Sequence, residues 1–262
     1  MFQKFGSALA TFFVLAIFFN SWKLSLLLML TIAVHEYGHI FAAKLAGIKT
    51  KGFYFSILGG FTQFDSDPKD AFSYGYIALC GPAIGSLLAI PFGILWQISG
   101  NLLYAHAVCW VLFVNVFNLI PMFPLDGWLV LKVSTLPRLP SKIGLWVFYL
   151  GAIAGGMVML FNFGLFMFVI FWTLMLPEAR FIRSYIVNKK EKPIENLAQE
   201  QELDDSLLPL FLKNPMNNLQ TVVFVFACMA VTVSMLVAFF VIYNSSNFSL
   251  ISSLQLFKSP LF

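Results

Sequence analysis

LSLLLMLTIAVHEYGHIFAA, residues 24–43, decides how this chain is read. Twenty predominantly apolar residues are enough helix to cross a bilayer core. Yet the stretch carries His35, Glu36 and His39, and ionisable groups at membrane depth are costly and mark function by default. Histidines at i and i+4 share one helix face a turn apart, so both imidazoles can reach one metal ion. The glutamate beside the first can stand next to a water held by that ion, take its proton and pass it to a leaving amine. Zinc suits such a pair and lowers the pKa of its water toward about 7.

The rest of the chain fits a lipid solvent. Of 262 residues, 60% are hydrophobic and 11% charged, and the 31 Phe outnumber all Asp, Glu, Lys and Arg together. Soluble domains carry about 25% charge, so a water-soluble globule and a disordered chain are both excluded. The net charge of +4 forms no basic stripe, so nucleic acid is not an expected partner. Cys80, Cys109 and Cys228 lie inside apolar runs and read as inert core thiols.

Seven spans are expected: Phe5–Phe19, Leu24–Ala43, Phe72–Trp96, Leu102–Ile120, Leu145–Leu160, Phe163–Leu176 and Leu219–Tyr243. The first reads as an uncleaved span, because no small-x-small site follows it. With the N-terminus in the cytoplasm, 14 of the 16 Lys and Arg fall on the inner side, and only Lys23 and Lys258 fall outside. The fold class is thus an all-α polytopic membrane protein. The chain divides into a first helix and turn (1–23), a membrane core (24–127), accessory helices (128–176), a cytoplasmic polar segment (177–214), and a last helix with its tail (215–262). The polar segment reads as a solvated linker, or more specifically as a landing place for a regulator.

A catalytic zinc needs a third protein ligand and an open position. Asp126 is the remaining acidic residue at membrane depth, in Asn118-Leu119-Ile120-Pro121-Met122-Phe123-Pro124-Leu125-Asp126-Gly127. Pro121 and Pro124 break regular helix, so Asp126 is expected on non-helical backbone lining a cavity. Two crossings separate it from the histidines, which brings both motifs to the cytoplasmic side. His106 lies 20 residues earlier, about 30 Å along a helix, and reads as an interfacial or packing residue.

His35-Glu36-x-x-His39 followed, two spans later, by Asn118-x-x-Pro121-x-x-Pro124-Leu125-Asp126-Gly127 resembles the site-2 protease family of zinc-dependent intramembrane metalloproteases. The resemblance covers about Leu24–Gly127, the family's three-helix core. It implies one Zn2+ per chain held by His35, His39 and Asp126, with Glu36 as general acid and base. It makes Asn118 a contact for substrate or oxyanion. Residues 52–64, with Leu58-Gly59-Gly60-Phe61, look like the family's β-ribbon and glycine turn, so Gly59 and Gly60 are candidate substrate-binding positions. Gly81-Pro82 resembles the family's Gly-Pro element. The family often has Asn three positions after that proline; here it is Gly85, which weakens any polar role for the third span and leaves close helix packing.

The implied activity is cleavage of membrane-spanning or membrane-inserted peptides, with the site toward the cytoplasm, in a bacterial cell membrane. The alternative is a catalytically silent relative that binds such peptides, against which the presence of Glu36 argues. A metal transporter is disfavoured, because transporters usually show internal repeats and ligands on several helices.

Overall fold

The computed structural model describes residues 2–56, 59–66, 68–122, 124–134, 216–245 and 255–258, with single helical positions between 143 and 180. The elements are α1 (Phe2–Phe19), α2 (Trp22–Leu45), β1 (Thr50–Ser56), β2 (Gly59–Phe64), α3 (Ala71–Ser86), α4 (Ala89–Ser99), α5 (Leu102–Asn118), α6 (Asp126–Ser134) and α7 (Asn218–Ser245). Trp22–Leu45, Ala71–Ser99 and Asn218–Ser245 are long and apolar enough to cross a membrane, while Gly6–Phe19 and Leu102–Asn118 are apolar but shorter. The expected fifth and sixth spans and the polar segment 177–214 lie largely outside the described residues.

α2 has defined stops at both ends. Asn20 turns the chain at φ 48°, and the Ser21 hydroxyl caps the Leu24 amide at 3.3 Å. At the other end the Ile48 amide reaches the Ala43 carbonyl at 2.8 Å and the Gly47 amide reaches Lys44 at 3.1 Å. With Gly47 at φ 74°, this is a Schellman closure. Ile48 then packs with Ala42, Ala43 and Ile77. The 24 residues between give a rod about 36 Å long.

The chain returns as an antiparallel ribbon in which Phe53 faces Thr62, Tyr54 faces Phe61 and Phe55 faces Gly60. The expected ribbon at 52–64 is therefore present, two residues longer at its start. β2 alternates: residues 60, 62 and 64 are half-buried, and 61 and 63 are exposed. Phe61 stacks on Tyr54 on the outer face, with centroids 5.4 Å apart.

α3 is capped by Asp70, whose carboxylate accepts from the Ser73 amide at 2.8 Å. It packs against α2 through glycines. A Cβ on Gly38 would collide with the Cys80 carbonyl oxygen and sit 2.9 Å from the Gly81 Cα, and a Cβ on Gly81 would fall into the His39 ring. Small residues permit this approach where apolar attraction between helices is absent.

The expected third span, Phe72–Trp96, falls within the apolar stretch Ala71–Ser99, which is interrupted in its middle. Leu87 and Leu88 form a turn between α3 and α4, because Pro91 has no amide to donate to the Leu87 carbonyl. A second difference concerns Asp126. It does not sit on irregular backbone; it is the first residue of α6. The irregular parts are 119–122 and 124–125, closed by Met122 amide to Ile120 carbonyl (2.7 Å) and Leu125 amide to Met122 carbonyl (2.9 Å). The two prolines end α5, and the chain can resume as helix once past them. The carboxylate then lies at a helix N-terminus, where a negative charge is favoured. Gly127 follows because a Cβ there would collide with the carbonyl oxygens of Leu119 and Ile120.

α7 closes the assembly. Near its start Phe224 packs against Gly75 and Val133. After it, a helical turn at 255–258 returns to the head of α2. There Phe257 joins Leu24, Leu27, Leu28 and Trp110, and its carbonyl accepts from the Ser21 hydroxyl at 2.8 Å. Lipid-type exposure runs along the outside, as at Ile17, Phe18, Ile98, Leu219 and Phe226.

The Gly38 contact yields a stability prediction. Gly38→Ala should destabilise the folded chain by about 1–3 kcal/mol, the usual range for overpacking. Gly93→Ala, with nothing within 4 Å of the added carbon, should leave its packing undisturbed. Thermal unfolding in detergent compares them, and equal melting temperatures would contradict the close α2–α3 contact.

Candidate metal centre

His35 and His39 stand on one face of α2 with ring centroids 4.8 Å apart. Their Nε2 atoms are 3.1 Å apart. Asp126 closes the triangle from α6, with Oδ2 3.0 Å from His35 Nε2 and Oδ1 3.4 Å from His39 Nε2. The three donors lie within 4.8 Å of one another and form the one such group among the described residues. His35, Glu36 and His39 are all at most 8% exposed.

The chemistry of this set fits a metal ion. His39 Nδ1 lies 2.8 Å from the Ile77 carbonyl oxygen. A carbonyl only accepts, so Nδ1 carries the proton and Nε2 presents a lone pair. Asp126 Oδ2 is buried without a hydrogen-bond partner, although an imidazole nitrogen is 3.0 Å away. Lone pairs facing one another in a dry site repel unless a cation stands between them. Two ligands on a tetrahedral zinc, each bonded at about 2.0–2.1 Å, stand about 3.3 Å apart, close to the separations found here. Two imidazoles and a carboxylate are also a zinc donor set that leaves one position open.

Glu36 is held from the ribbon. Its Oε2 accepts from the Thr62 hydroxyl at 2.7 Å. Gly60, two residues back on the same strand face, lies so close that a Cβ would come within 2.6 Å of the Glu36 Cγ. Trio, Glu36, Gly60, Thr62, Asn118 and Pro124 line one cavity of about 240 Å³.

Of the residues expected from sequence, His35, Glu36, His39, Asp126, Asn118 and Gly60 therefore meet around one space. Asn118 turns one amide hydrogen back to the Val114 carbonyl at 3.0 Å, which leaves it a second to offer. Gly59 is in the strand but does not line the cavity. His106 is fully buried in α5 rather than interfacial, and it is not part of the donor group. Two contributors were not anticipated. Thr62 has no motif, and only its i, i+2 spacing from Gly60 on one strand face could have pointed to it. Asn115 is the other: its Oδ1 lies 3.0 Å from His35 Nδ1.

Comparison with known proteins points to zinc metalloproteases. Residues 23–104 match the model of peptidase family M50. A zinc metalloprotease of Methanocaldococcus jannaschii is 33% identical over 115 residues, 42% of this chain and 33% of that protein. "Putative zinc metalloprotease sll0528" of Synechocystis is 29% identical over 113 residues, 41% of this chain and 30% of the relative. "Putative zinc metalloprotease Rip3" of Mycobacterium tuberculosis is 28% identical over 111 residues, 39% and 28% of the respective chains. The matched region thus spans about a third of the length of these relatives.

The donor set predicts metal content directly. Purified wild type should hold one zinc per chain by elemental analysis, and His35→Ala and Asp126→Ala should each lose it. A folded wild type that takes up no zinc when supplied would contradict the site.

Proposed function

We propose that this chain, whose residues 23–104 match peptidase family M50, that of the site-2 proteases, is a zinc-dependent intramembrane endopeptidase. The observation that carries the reading is the convergence of buried His35 and His39 with partly buried Asp126 beside Glu36. Four polar side chains in an apolar setting need a shared purpose, and hydrolysis uses all of them.

His35, His39 and Asp126 would hold the zinc. When bound, it supplies Lewis-acid polarisation of a peptide carbonyl and acidifies an attacking water. Glu36 is the base. Thr62 engages Oε2, so Oε1 is left to receive the proton and later deliver it to the leaving amine nitrogen. The second Asn118 amide hydrogen would meet negative charge developing on the carbonyl oxygen, a type of contact worth about 3–4 kcal/mol. His35, Glu36 and His39 are buried, and the lower local dielectric strengthens each of these interactions.

The substrate class we infer is a membrane-spanning or membrane-inserted peptide. A helix ties up its own carbonyls, so its scissile bond must first be unwound. Among the described residues β2 pairs with β1 on one side only, and its other edge could pair with an unwound strand. The placement of Lys and Arg supports an N-terminus and active site toward the cytoplasm, in a multi-pass protein with seven spans. A regulator docking on 177–214 would complete this scheme; that segment lies largely outside the described residues.

Glu36→Gln should keep its zinc and lose about 10²–10⁴-fold in turnover, the usual share of general acid–base catalysis. Thr62→Val should also keep its zinc and cut turnover by about tenfold, about one hydrogen bond's worth. The readout is mass-spectrometric mapping of new N-termini in membranes carrying wild type or Glu36→Gln. Wild-type-specific termini inside membrane segments are expected. Their absence, with zinc bound, would leave a peptide-binding relative as the better account.

A further inference from the structure

We infer that Asn115 is a positioning residue of the metal centre, setting the tautomer and rotation of His35, and that Gly85 is the space that lets it do so. The inference rests on the metal reading above and adds a residue that the family motifs do not contain.

Asn115 lies on α5 and is completely buried. Its Nδ2 donates to the Val111 carbonyl at 2.8 Å. That oxygen only accepts, so the bond decides which end of the amide is nitrogen. Oδ1 is thereby committed as the acceptor that stands 3.0 Å from His35 Nδ1. The proton of neutral His35 must then reside on Nδ1, and Nε2 turns its lone pair toward Asp126 and His39. The amide is held at both ends, so the ring cannot rotate without breaking a buried hydrogen bond.

The two histidines reach the same state by different means. His39 relies on a backbone carbonyl, that of Ile77, which no side-chain substitution removes. His35 relies on a side chain, so its orientation is the one a mutation can release. Gly85 completes the arrangement from α3. A Cβ there would collide with Asn115 Oδ1 and come within 3.1 Å of the His35 Cβ. The third span brings no polar group to His35; it leaves room for one from α5. The same α5 leads through 119–125 to Asp126, so one stretch of chain carries both the third ligand and the orienter of the first.

Outer partners of metal-bound imidazoles commonly contribute 10–100-fold in metal affinity. The test measures zinc dissociation constants for the full chain in detergent, by competition with a chromophoric chelator. Cobalt absorption spectra report the geometry of the site. Asn115→Leu, similar in size but without an acceptor, should bind zinc about 10–100-fold more weakly. Asn115→Asp keeps the acceptor toward His35 Nδ1 but gives up the bond to the Val111 carbonyl, and should bind zinc more tightly than Asn115→Leu. Gly85→Ala, which displaces the amide without removing it, should weaken binding in the same direction as Asn115→Leu.

A merely structural Asn115 would not give the rescue by Asp. Equal losses in Asn115→Leu and Asn115→Asp would therefore overturn the inference, as would wild-type affinity in Asn115→Leu. Should Asn115→Leu fail to fold, wild-type affinity in Gly85→Ala would overturn it. Failure of wild type to bind zinc would overturn the metal reading itself, and it is measured before any variant is compared.

Discussion

Three buried polar side chains, with the partly buried Asp126 beside them, must have their lone pairs and protons satisfied in a lipid-facing bundle, and the rest of the structure follows from that need. His39 takes the Ile77 carbonyl, His35 takes Asn115, and Glu36 takes Thr62. What remains unsatisfied points inward, toward one volume. Desolvation of ionisable groups is costly at this depth, so each outer partner limits how much of that cost is left to the centre. The helices are arranged around these bonds. α3 supplies a carbonyl, α5 an amide, and the ribbon a hydroxyl, all directed at one turn of α2.

Such convergence requires backbones closer than side chains normally allow. Glycine is the means at each contact. Gly38 and Gly81 let α2 and α3 approach until a methyl group would collide with backbone or with the His39 ring. Gly60 lets β2 lie on Glu36. Gly127 lets α6 start beneath the carbonyls of Leu119 and Ile120, which brings Asp126 back over the histidines.

Much of this was legible from residue order. His35, Glu36 and His39 declare themselves because ionisable groups interrupt an apolar run at helical spacing. Asp126 does so because a carboxylate follows two prolines at membrane depth. Their meeting was legible from counting crossings. The partners were not. Thr62 and Asn115 are ordinary polar residues whose roles depend on strand register and on which face of α5 turns inward, and neither is encoded locally. The helical start at Asp126 was missed for a related reason. Proline shows where a helix must stop, but it does not show how soon the next can begin. The division of 72–96 was open to a closer reading, since Pro91 removes the amide that would have bonded to the Leu87 carbonyl.

The return of Phe257 to Ser21 has a mechanical consequence. α7 is pinned near its start by Phe224 in the groove of Gly75 and Val133, and the chain beyond it is pinned at the head of α2. The helix is thus held by one of its own rings, and the chain that follows it is held at Ser21. The seam between α7 and α3 is therefore a threshold: parting it near the start of α7 draws Phe224 out of its groove.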